Sequence, residues 1–84
     1  MEGIYDQLVR SGVRAGSPVA LMACAGSRRA EDVDAHESAA RKLLQRLGIE
    51  RVSELSRADL REEFGLEEFE AMRLLCAVEL GRRA

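Results

Sequence analysis

The chain has no Trp, one Tyr and two Phe among its 84 residues, so a core has to be assembled from Leu, Val, Ala and Met. β-Branched residues nowhere alternate with polar ones over a sustained stretch, which argues against even a modest sheet. An all-α fold is what remains. Histidine occurs once, at His36, and cysteine twice, at Cys24 and Cys76, with no Cys-x-x-Cys pair. That spacing disfavours a structural zinc site, and no other cofactor is implied. Each cysteine sits in an apolar run, residues 19–25 and 74–78, and is expected to be a small buried hydrophobe, reduced in the cytoplasm. No run of about 18 apolar residues is available to span a bilayer. The first ten residues also lack the charged-then-apolar pattern of a signal segment. A cytoplasmic protein with no membrane partner is expected, and at this length it is a single domain, residues 1–84.

Positive charge is scarce as well. The net charge is −2, so the molecule as a whole has no strong field to draw in a polyanion, and any nucleic-acid surface must be local. Residues 1–30 carry Arg10, Arg14, Arg28 and Arg29 against Glu2 and Asp6, residues 31–65 are net acidic, and Arg82 and Arg83 add charge near the end. Lys42 is the sole lysine. The cations are therefore mainly guanidinium groups, whose planar fork suits phosphate.

The punctuation is that of helices. Ile4 and Leu8, with Tyr5 beside them and Val13 beyond, predict a short first helix stopped at Gly12. Ser17 then places a capping hydroxyl before Pro18 at a first helical position. The run to Ala25, ended by Gly26, is apolar all round and is expected at the centre of the core. After the basic loop of residues 27–30, the acidic group Glu31, Asp32, Asp34 and Glu37 is expected at the start of a third helix, favouring its dipole. Arg41, Lys42 and Arg46 lie towards its end, Ala39, Ala40, Leu43, Leu44 and Leu47 form its stripe, and Gly48 stops it. His36 has no partner at metal-ligand spacing and is expected to be a structural, at least partly exposed side chain.

A short apolar bridge, Ile49, Val52 and Leu55, leads to Ser56-Arg-Ala-Asp59, a capping box with Asp in place of Glu. Leu60 and Phe64 lie four apart on the helix it starts. Gly65 breaks that helix, and a last helix follows from about Glu67 to Leu80, with Ala71, Leu74, Leu75 and Val78 inward. About five short helices in a compact bundle are predicted, the last two joined by a turn of a few residues.

Residues 57–82, with Phe64-Gly65-Leu66 between two apolar helices and a small Ala71 one turn into the second, resemble a helix-hairpin-helix motif. The ending Ala71-Met-Arg-Leu-Leu-Cys-Ala-Val-Glu-Leu-Gly-Arg-Arg83 is similar to the close of the N-terminal domain of the bacterial RadC family, and the upstream helices follow that domain's order. The resemblance covers nearly the whole chain and implies a fold like sterile-alpha-motif domains and the N-terminal domain of DNA polymerase beta. It also implies an accessory role in DNA repair, with sequence-independent DNA binding. The residues it nominates are the hairpin Gly65 and Leu66, then Arg73, Arg82 and Arg83, with the Arg28–Arg29 loop beside them.

Such a hairpin holds phosphate because glycine lets the backbone approach closely while the next helix points N–H groups and partial positive charge outward. This sequence keeps Gly65 but has Glu67 where the second glycine would be, then Glu68, and Glu70 where the family commonly has Lys. At roughly 5 Å in water each carboxylate opposes a phosphate by about 1 kcal/mol, enough in combination to cancel several contacts. The same carboxylates would stabilise the start of any helix. The metalloprotease-like JAB/MPN domain that completes the RadC family has no counterpart here, because its paired His, acidic and Ser metal ligands cannot be gathered around His36. No phosphate-cradling Gly-Lys loop, nucleophile elbow or complete Cys–His set occurs either. Neither an enzymatic activity nor a small-molecule substrate is expected. Two functions fit the sequence. One is weak DNA-backbone binding. The other is protein interaction or self-association through a module whose hairpin has become structural.

Overall fold

The computed structural model describes residues 2–84. Among them are five α-helices and no strand: α1 (Ile4–Ser11), α2 (Pro18–Ala25), α3 (Glu37–Leu47), α4 (Arg57–Phe64) and α5 (Glu68–Arg83). Short 3-10 turns link them at Val13–Ala15, Ala30–Asp32, Asp34–His36 and Ile49–Glu54. The expected all-α bundle is present, measuring 33 × 27 × 23 Å.

Local chemistry sets the helix starts. Ser17 Oγ accepts the Ala20 N–H at 3.1 Å with Pro18 at the first helical position of α2. The Ser56 box is reciprocal, with Asp59 N–H donating to Ser56 Oγ at 3.1 Å and Ser56 N–H to Asp59 Oδ2 at 3.1 Å. That Ser56 N–H is the main cause holding the Asp59 carboxyl below its ordinary range, with Arg46 of α3 adding to it from 2.8 Å. One carboxylate thus both caps α4 and ties it to α3.

The core runs from Met22 and Ala23 on α2 through Val33, Ala40, Leu43 and Leu55 to Leu60, Phe64, Leu66 and Ala71. Leu8 is buried where α1 meets α2. Several expectations need correction. Val13 lies past Gly12 in a 3-10 turn and is exposed, because the chain leaves the helix before Val13 completes the stripe. α2 is flanked rather than enclosed: Ala20, Met22 and Ala23 are buried, whereas Leu21 and Ala25 are open to solvent. The acidic group does not start α3. Val33, only 1% exposed, drives into the core between Asp32 and Asp34, and the chain accommodates it in two separate 3-10 turns, so Glu37 alone stands in the first turn of α3.

Packing of α5 is also shallower than its sequence suggests. Ala71 is fully buried, but Leu74, Leu75 and Val78 are half-buried, because α5 lies over the bundle and presents one face to it. Cys24 is half-buried against the core, whereas Cys76 is exposed. At 100° per residue Cys76 falls nearly opposite Ala71 and Val78, so membership of an apolar run did not decide its burial.

Candidate functional site

The turn between α4 and α5 is built from α4 upward. Leu60 and Phe64 anchor that helix in the core, and Gly65 then takes the left-handed conformation at φ 69° and ψ 23°. A β-carbon there would be strained, so the position favours glycine. Reversal of the chain turns the amides inward. Gly65 N–H donates to the Arg61 carbonyl at 2.9 Å and also to that of Leu60, while Leu66 N–H reaches the Leu60 carbonyl at 3.4 Å. Leu66 plugs the core beneath the turn. Glu67 N–H donates to Glu70 Oε1 at 2.9 Å, capping α5. These three successive turn amides are therefore all engaged within the chain.

Charge at the turn is matched in the same way. Arg28, in the loop after α2, donates through Nη2 to the Gly65 carbonyl at 2.9 Å and lies 3.4 Å through Nε from Glu70 Oε1. It is a strap between the loop and the turn, neutralised by the carboxylate that also caps α5. Across the cleft between α4 and α5, Arg57 pairs with Glu68 at 3.0 Å. Arg73 lies in the groove that Arg28, Leu66 and Glu70 also line, with its guanidinium 5.9 Å from the Phe69 ring centre. Among the described residues Arg73 has no ion pair.

The fold thus brings Arg28, Gly65, Leu66 and Arg73 together and leaves Arg29, Arg82 and Arg83 apart. Arg29 is bound by Asp32 at 3.2 Å, with Glu31 at 3.6 Å. Arg82 and Arg83 stand at the far end of α5, a helix about 24 Å long, and both close on Glu79, at 2.6 and 2.7 Å. Their hydrogen bonds, that of Arg82 foremost, hold the Glu79 carboxyl down to about 2.

No family model, curated protein or solved structure matches the chain.

Two arrangements escaped sequence reasoning. Ser27 Oγ donates to the Ala23 carbonyl at 2.7 Å and lies 2.7 Å from Nδ1 of His36, whose ring meets Phe64 edge-on at 5.3 Å between centres. With the hydroxyl hydrogen committed to Ala23, the hydrogen shared between Oγ and Nδ1 belongs to the imidazole. An activated serine needs the opposite polarity, so this pair is a structural lock between the end of α2 and the start of α3. Nothing in the sequence signals it. No group of three or more His, Cys, Asp or Glu among the described residues is placed to hold a metal ion, and no helix among them is long and apolar enough to cross a membrane.

The second arrangement is an exposed apolar stripe on α5. Phe69 is 74% exposed, Leu80 is 71% exposed, and Met72 and Cys76 are open as well. Their spacing of three and four residues puts them on one face, directly opposite Ala71 and Val78. The signal was present in the sequence, superposed on the inward stripe of the same helix.

Proposed function

We propose that the chain is a non-catalytic accessory module of the kind that the RadC N-terminal domain represents, working through protein contacts, with a hairpin that serves the fold and does not grip DNA. The observation that carries this is the internal engagement of all three turn amides, Gly65, Leu66 and Glu67. A phosphate would have to break these bonds, and the free energy of a new contact is then offset by the bonds lost. Four of the five nominated arginines are likewise spent on carboxylates. The exposed stripe of α5 supports the protein-binding side, since contiguous exposed apolar surface marks association sites. The two free cysteines, Cys24 and Cys76, fit a reducing cytoplasm.

Weak DNA binding is the second reading, favoured by Arg73, a free cation beside Leu66. Fluorescence anisotropy of labelled duplex and branched DNA, at about 50 and about 200 mM salt, separates the two. The wild-type protein is expected to give no saturable binding at micromolar concentration. Glu67→Gly with Glu70→Lys releases Arg28, frees the Glu67 amide and makes the turn positive, so it should gain affinity, and for each phosphate held the slope of log affinity against log salt should steepen by roughly 0.9. Circular dichroism must show both proteins folded, because the double change removes the reciprocal Glu67–Glu70 capping pair at the start of α5, a loss of about 0.5–2 kcal/mol. Submicromolar, salt-dependent binding by the wild-type protein would overturn the proposal.

A further inference from the structure

We infer that α1 is a detachable cover, hinged at residues 12–16, which swings off α2 as a unit while α2 to α5 stay folded. Of the buried apolar side chains among the described residues, only Leu8 and Ala20 lie outside the main core cluster. Leu8 is the one buried residue of α1. The helix reaches the main cluster through Ile4 and Tyr5, and both are half-buried. Its principal helical partner is α2. A satellite contact of this size holds its element less firmly than the central cluster holds α3 and α4, so α1 should open at a free energy well below that of global unfolding.

Two contacts seat the cover. At its start Tyr5 N–H donates to Asp34 Oδ1 at 3.2 Å, across 29 residues, so this exposed carboxylate does for α1 what an N-cap side chain does for other helices. Gly3 permits the approach, because a β-carbon there would overlap the Asp34 carboxylate. Towards its end Leu8 lies over Gly16, where a β-carbon would stand 2.5 Å from Leu8 Cδ2 and 3.1 Å from Leu21 Cδ2. The hinge itself is open: residues 12–15 are exposed, and Gly12 takes φ 86°, which glycine adopts freely. Beyond it α2 is capped on its own account, by Ser17 Oγ on the Ala20 N–H with Pro18 at the first helical position. The ion pair Arg10–Glu2, at 2.6 Å, lies within the moving segment and need not break. Opening therefore uncovers the flank of α2 that carries Leu21 and costs α2 neither its cap nor its packing on α3, the most extensive helix contact in the bundle.

Native-state amide hydrogen exchange of the full chain, followed by NMR, tests the inference. The α1 amides from Leu8 to Gly12 are expected to exchange about a hundredfold faster than those of Leu43 and Leu44 on α3 and Leu74 and Leu75 on α5, yet more slowly than unprotected amides. Low concentrations of urea should leave the α1 rates almost unchanged, because the opening exposes little surface. Leu8→Ala should speed the α1 amides about thirtyfold, or to the unprotected limit, the lower end of the effect of a leucine truncation. Asp34→Ala, at an exposed position, should speed them about fivefold, the size of a lost cap. Neither change should move the α3 and α5 amides. An α1 that exchanges at the rate of α3 and α5 overturns the inference, and so does an α1 with no protection at all. A Leu8→Ala protein whose α3 and α5 amides accelerate with those of α1, or whose overall helical signal is lost, makes α1 part of the cooperative core and overturns it equally. These outcomes do not depend on whether the α4–α5 turn binds DNA.

Discussion

Leu60→Ala is expected to destabilise the protein by about 2–5 kcal/mol, the range for a leucine truncated in a packed core. Leu60 is 0% exposed and belongs to the same cluster as Phe64, Leu66, Leu43 and Ala71. It also sits where the turn begins, since its carbonyl accepts the Gly65 and Leu66 amides. At about 0.05–0.15 kcal/mol per residue, a chain of 84 residues has roughly 4–13 kcal/mol in all, so this one truncation removes a large part of it. Leu74→Ala is the comparison. The helical stripe alone assigns it a similar loss, but Leu74 is half-buried, and about 1–2 kcal/mol is the expected cost. Urea denaturation of both variants checks the order; equal losses would mean that Leu74 is buried as deeply as Leu60.

Gly26→Ala should destabilise by about 1–3 kcal/mol, although glycine-to-alanine changes often stabilise. A β-carbon at Gly26 would lie 2.8–2.9 Å from three atoms of the Phe64 ring. That ring cannot easily yield. It is buried, and it packs edge-on against His36, which Ser27 holds at 2.7 Å. Gly81 is the counterpart, a helical glycine near the end of α5 whose added β-carbon would meet nothing within 4 Å. Gly81→Ala is therefore expected to stabilise by about 0.5 kcal/mol. Thermal melts moving in opposite directions would confirm that crowding at Phe64 sets the sign at Gly26. A stabilised Gly26→Ala protein would mean that the ring moves freely.

The sequence makes the helices legible because each start and stop has a local cause. Ser17-Pro18 and the Ser56–Asp59 box act within one turn, and Gly12, Gly48 and Gly65 all adopt positive φ at helix ends. What it conceals is set by neighbours distant along the chain. Val33, the one large apolar residue among four acids, is a core residue because it packs in the same cluster as Met22, Ala23 and Leu43. Cys76 shares an apolar run with Leu74 and Leu75, yet the face on which α5 lies leaves it in solvent. At the candidate site, the carboxylates Glu67, Glu68 and Glu70 are legible in the sequence as charges that oppose a phosphate. The Arg28 strap to Gly65, across 37 residues, is a tertiary contact that no spacing rule would reveal.

An α4–α5 turn whose Gly65, Leu66 and Glu67 amides are engaged within the chain should be closed to phosphate at those atoms. Titration of the ¹⁵N-labelled protein with duplex DNA at low salt, followed by amide NMR, tests it at those atoms. The Gly65, Leu66 and Glu67 resonances are predicted to stay in place. Saturable shifts at these three amides, reversed by added salt, would contradict the account.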